Sequence, residues 1–140
     1  LSVTGNVFRS VNGTIGRVEK VDTTQAGLEH DRARNVVFSG NVYHGVDQSC
    51  VNPVTVSHGQ NTASQTWTVD ASGYFPFGGK ALRVSAVVAD GPLREGDNSV
   101  FHTMPYVETR QGGGEARINL KWPRALKGAA TVTIRSDSPQ

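Results

Sequence analysis

Apolar and polar residues alternate along most of this chain and almost nowhere recur at helical spacing. The stretch Thr24 to Ala33 comes nearest to a helix, but Gly27 and its many charges make it a loop. Strands are predicted at Leu1 to Phe8, Thr14 to Val21, Asn35 to Tyr43 and Val51 to Ser57. Charged Arg17, Glu19 and Lys20 around Val18 and Val21 make the second of these half-buried. The segment Asp22 to Arg34 has no apolar face and reads as an excursion between strands.

After Gly59-Gln60-Asn61-Thr62 the alternation becomes stricter. Trp67, Val69 and Ala71 share one face, and Leu82, Val84, Ala86 and Val88 another, opposite Arg83, Ser85 and Val87. Val100, His102, Met104 and Tyr106 alternate with Phe101, Thr103 and Pro105. Ala116, Ile118, Leu120 and Trp122 oppose Arg117, Asn119 and Lys121, and Val132 and Ile134 oppose Thr131, Thr133 and Arg135. This is the period of antiparallel strands with one buried face. Gly112-Gly113-Gly114 predicts a hairpin, and Asp70 to Gly73, Gly78-Gly79, Gly91-Pro92 and Glu95 to Asp97 predict further turns. The expected architecture is therefore all-β, with residues 1–60 unlike residues 61–140 and a boundary near 58–63.

Among residues 1–60, a single pattern occurs twice. Val3-Thr4-Gly5-Asn6-Val7-Phe8 returns as Phe38-Ser39-Gly40-Asn41-Val42-Tyr43, 35 positions on, and Leu1 corresponds to Val36. A strand-like run that recurs at fixed spacing with a Gly-Asn turn is the mark of a solenoid, in which each copy stacks on the next. Two copies cannot bury a continuous core alone. The chain also opens inside the first copy, so it is expected to be a fragment or cleavage product of a longer protein.

Composition narrows the function. Glycine accounts for 16 of 140 residues and apolar residues for 36%, as in a turn-rich β protein. Fourteen basic and twelve acidic residues leave a formal charge of +2, and the basic residues are dispersed, which gives no case for nucleic acid. Cys50 stands alone, so no intrachain disulfide is possible and stability must come from packing or oligomerisation. No apolar run approaches the ~20 residues of a membrane helix, and the first residues, which alternate without a basic start and an apolar core, are not expected to act as a signal peptide.

The repeated hydrophobic-hydroxyl-Gly-Asn-Val-aromatic unit, at Val3 to Phe8 and Phe38 to Tyr43, resembles the rungs of right-handed parallel β-helices of the pectate-lyase-like and phage-tailspike kind. The resemblance covers the first third of the chain. It implies the last rungs of a parallel β-helix followed by an antiparallel, jelly-roll-like β-sandwich at residues 61–140. In that family such a module ties three chains together and protects the end of the helix. The implied function is trimerisation and stabilisation of an extracellular or virion-tail fibre that binds and degrades bacterial surface polysaccharide, through a piece that is itself non-catalytic. The alternative is a carbohydrate-binding module of a secreted polysaccharide lyase or hydrolase. Physics favours an oligomer independently: an open rung end is an edge-pairing hazard. Burying a few hundred Å2 of apolar surface per chain, at about 25 cal/mol per Å2, is worth several kcal/mol.

Candidate chemistry is sparse. Glu29-His30-Asp31-Arg32 is the densest titratable cluster, but neighbours on an extended chain point apart, and the favoured reading is a solvated loop. His44 and Asp47 follow a rung closely enough for a turn to join them. No catalytic residue is assigned. The four histidines and Cys50 lack metal-site spacing, so neither metal nor cofactor is expected. Gly78-Gly79-Lys80 is no phosphate loop, there is no Gly-x-Ser-x-Gly elbow, and Asn12-Gly13-Thr14 is a glycosylation sequon only in a secretory setting. Trp67 and Tyr74 are the candidate carbohydrate-binding residues, because aromatic faces stack on sugar rings. The competing reading makes Trp67 core and packs Tyr74-Phe75-Pro76-Phe77 under the helix end.

Overall fold

The computed structural model describes residues 1–20, 24, 27 and 33–137, and over these the protein is all-β. Four short strands come first: β1 (Ser2–Thr4), β2 (Val7–Arg9), β3 (Val37–Ser39) and β4 (Val42–His44). The repeat sets their pairing. β1 lies parallel to β3 with Val3 opposite Phe38, and β2 parallel to β4 with Val7 opposite Val42 and Phe8 opposite Tyr43. Every repeated residue thus sits beside its own counterpart. Gly5 and Gly40 turn each copy at positive φ (68° and 65°), which a side chain would resist. A lone parallel bridge, Ile15 to Val46, continues the stack at a third place.

The other four strands form one antiparallel sheet. Its long members are β5 (Val54–Asp70) and β8 (Arg117–Arg135), paired from Val54–Ile134 to Asp70–Arg117. On the far edge of β8 lie β6 (Arg83–Ala89) and β7 (Tyr106–Gln111). The sheet is bent double. Register shifts between Gln60, Ser64 and Thr66 change which residues of β5 face inward, from Val54 and Val56 before them to Trp67 and Val69 after. The His58 and Trp67 rings lie 5.8 Å apart, where a straight strand would separate them by about 30 Å. Along β8, Ile118, Leu120, Trp122, Leu126, Ala130, Val132 and Ile134 face inward and share one core with Val54, Trp67 and Val69, while the middle of the strand at Arg124 is exposed.

Several expectations need correction. The strand expected at Thr14–Val21 does not form over its described residues, 14–20: only Ile15 pairs, and the chain turns at Val18 and Glu19. On β6 a bulge between Val84 and Ala86 reverses the face, so Val84 and Val87 pack on the core and Val88 is exposed. Residues 100–105 form no strand; only Val100 makes a bridge, to Arg94. The expected boundary at 58–63 falls inside β5, and packing changes hands nearer Val51 and Val54. The residues expected to form a sandwich belong to one folded sheet. The Gly112 to Gly114 hairpin joins β7 to β8 as expected.

Candidate functional site

The two candidate sugar-binding residues part company. Trp67 is 0% exposed, its ring lies 4.9 Å from that of Trp122, and its indole N–H donates to the Leu126 carbonyl at 3.0 Å. A ring closed in on this way offers no platform to a sugar, so Trp67 is removed from the candidate site. Tyr74 stays at the surface, 38% exposed, on the turn that follows Ala71. Next to it Phe75 and Pro76 are buried, and Phe77 packs on the small cluster of Val36, Phe38 and Cys50. The aromatic run is thus divided: Phe75 joins the core of the antiparallel sheet, Phe77 packs on the parallel stack, and Tyr74 stays at the surface.

That end is the best-built feature of the molecule. In a strand, alternate residues bond in opposite directions. Val37 donates to Leu1 and Ser39 accepts from Gly5, so these two serve β1. Phe38 bonds the other way, exchanging both backbone hydrogen bonds with Asn52 (3.0 and 2.9 Å). Asn52 is fully buried, yet its side chain is satisfied. The amide donates to the Val36 carbonyl, and its oxygen accepts from Ser136 N–H at 2.9 Å, just beyond β8. One residue therefore closes β3 at Phe38 and ties it to the antiparallel sheet. Arg17 makes a second tie. It pairs with Glu19 and donates to the carbonyls of Gly73 and Phe75.

Within the stack, Asn41 accepts from the Asn6 backbone N–H at 2.9 Å and from the Asn6 amide at 3.3 Å, and donates to the Val3 carbonyl at 2.8 Å. The Phe8 and Tyr43 rings stack at 5.5 Å and 13°. Tyr43 hydroxyl donates to the Cys50 carbonyl. Cys50 is buried, and burial first, then the nearby Glu19 carboxylate, pushes its thiol up to about 12. It stays a thiol near neutral pH and is no nucleophile.

The charged candidates yield less. Glu29, His30, Asp31 and Arg32 lie outside the described residues. His44 and Asp47 are not joined by any hydrogen bond or ion pair among the described residues; Asp47 instead donates its backbone N–H to Ile15. Among those residues no three His, Cys, Asp or Glu side chains gather as a metal site would require. Nor is any helix among them long and apolar enough to cross a membrane. No family model, curated protein or solved structure matches the chain. Sequence reasoning missed Asn52 and Arg17. The only local signal at Asn52 was the following proline, which favours an extended residue beside a strand.

Proposed function

We propose that the parallel stack is the end of a right-handed β-helix, and that the antiparallel sheet caps it and joins three chains of a polysaccharide-binding, tailspike-like fibre. The piece is non-catalytic on this reading, and its place is outside the bacterial cell or on a virion tail. Carrying the proposal is the asymmetry of the stack. β3 is closed at Phe38 by Asn52, whereas β1, β2 and β4 have no second neighbouring strand among the described residues. A strand edge left free accepts another strand, and a further rung in the same register would continue both ladders. The sheet side supports assembly. Val88, Val100, Met104 (82% exposed) and Tyr106 stand exposed on β6, β7 and the segment joining them. Covering such surface contributes about 25 cal/mol per Å2. Light scattering coupled to size exclusion is expected to give a trimer that Met104→Lys with Tyr106→Ser weakens. A stable monomer at tens of micromolar, a concentration of the order at which modest interfaces already form, would sink the assembly half of the proposal.

A further inference from the structure

The cavity beside the short 3-10 turn at Pro76–Gly78 has a different chemistry. It encloses about 470 Å3 and is lined by Arg34, Asn35, Phe77, Lys80, Arg110 and Ser136, among others. Three of these residues bear positive charge. Two of them are held by one carboxylate that is not part of the lining: Glu115 binds Lys80 through Oε2, and accepts from Arg110 Nε at 2.9 Å and Nη2 at 2.7 Å through Oε1. Hydrogen bonding from Lys80, then the pull of Arg110, lowers the Glu115 carboxyl and keeps it ionised. The fork uses one of three Lys80 donors and two of five Arg110 donors, and both side chains stay partly open (38% and 52%). A guanidinium and an ammonium fixed side by side with donors to spare match a carboxylate or phosphate.

The backbone around the cavity is held in an uncommon conformation. Asn35 (φ 54°), Phe77 (φ 53°) and Arg110 (φ 56°) are non-glycine residues in the left-handed region, and so is Glu115 (φ 55°). Such conformations are unfavourable for residues with side chains and collect at ligand sites. Arg110 is fixed there because its N–H donates to Ala81, while Ala81 donates to Glu115. Register between β7 and β8 also shifts between Glu108 and Gln111, which takes Arg110 out of the ladder.

The lining decides among anions. A phosphate nest needs free backbone N–H groups, but the Gly79 N–H is engaged with Pro76. The lining besides the cations is of side chains, among them the half-buried Phe77 ring, Ser136 and Asn35. A ring face with hydroxyl and amide groups beside a cationic fork suits a sugar that carries a carboxylate. The volume is within the usual range for small-ligand sites, about 300–1,000 Å3. We propose that this cavity binds an acidic saccharide unit, its carboxylate on Lys80 and Arg110 and its ring against Phe77. The site is separate from the assembly surface, so a monomeric protein that bound acidic sugar would sink the trimer and leave this inference standing.

The test is a titration followed by amide resonances and calorimetry. The probes are a tetrasaccharide alternating glucuronate with N-acetylglucosamine, the neutral N-acetylglucosamine tetramer, and inorganic phosphate. The acidic tetrasaccharide is expected to shift the amides of Phe77, Gly79, Lys80 and Arg110. It should bind about tenfold or more tightly than either control, the value of one charge-assisted contact. Lys80→Gln with Arg110→Gln should remove that preference. If the double variant does not fold, Lys80→Gln alone should weaken acid binding several-fold and leave the neutral sugar unchanged. Equal binding of both sugars, phosphate binding as tight as the acidic sugar, shifts confined to other regions, no binding at millimolar concentration, or unchanged affinity in a folded variant would each overturn the proposal.

Discussion

The two halves of the molecule are held together by different means. Among the described residues the parallel stack buries three apolar residues, Val36, Phe38 and Cys50, and is held by backbone ladders, paired asparagines and the stacked Phe8–Tyr43 rings. The antiparallel sheet has a core of fifteen buried residues closed around two tryptophans. Apolar burial is the dominant stabilising term in folding, whereas a hydrogen bond exchanged with water nets about 1 kcal/mol. Stability therefore resides in the sheet and is lent to the stack through the seam at Asn52 and Arg17. The stack contributes order: its hydrogen bonds fix which residue lies on which.

Three substitutions separate these contributions. The largest effect belongs to Trp67→Ala, which empties the centre of the core and orphans the Leu126 carbonyl. It is expected to cost about 3–5 kcal/mol in urea unfolding. The stack should melt with the sheet, because the seam couples them; a stack that stayed protected would show that it is independent. Next is Asn52→Ala, which leaves the Val36 carbonyl and the Ser136 N–H without partners in a buried place. A loss of about 2–4 kcal/mol follows from two unsatisfied groups. Its signature is hydrogen exchange rising first at Phe38, and an unchanged exchange rate there would deny the seam its role. Smallest is Asn41→Ala, about 1 kcal/mol. It should loosen Asn6 and Val42 amides and leave the thermal midpoint of the sheet almost unmoved. A large drop in that midpoint would mean the stack supports the sheet and reverse the comparison.

How much of this was legible depended on whether the information was local. The repeat specified the pairing of Val3 with Phe38 and Val7 with Val42 because stacked copies match residue for residue. The inward faces at Ala116 to Trp122 and at Val132 and Ile134 were legible from their alternation. That the two runs are one strand, continuous through Leu126 and Ala130, was not, because the exposed residues 123–125 interrupt the pattern between them. Where the phase does change, the reading failed. Gly59 to Thr62 looked like an interdomain break, but Gly59 and Gln60 pair with Ala129 and Gly128, and the strand continues through the bend. Bulges depend on the partner strand, so Val84 and Val87 could not be recognised as the inward pair from β6 alone. In the candidate sites, burial was the missing fact: nothing near Trp67 in sequence announces the distant Leu126 carbonyl that receives its N–H. The basic cavity escaped for the same reason, since Lys80, Arg110 and Glu115 meet only after β7 and β8 have paired.

The lone bridge between Ile15 and Val46 has a consequence for how such a chain changes length. After the paired Arg9 and His44, the first copy runs through residues 10–14 before pairing resumes, whereas the second spends only Gly45. Ile15 N–H still finds the Gly45 carbonyl, and Asp47 N–H finds Ile15. The corner absorbs an unequal number of residues and hands the next side back in step. Segments can be lengthened, shortened or exchanged there without renumbering the pairs on either flank, which makes this corner a natural place to graft a foreign loop.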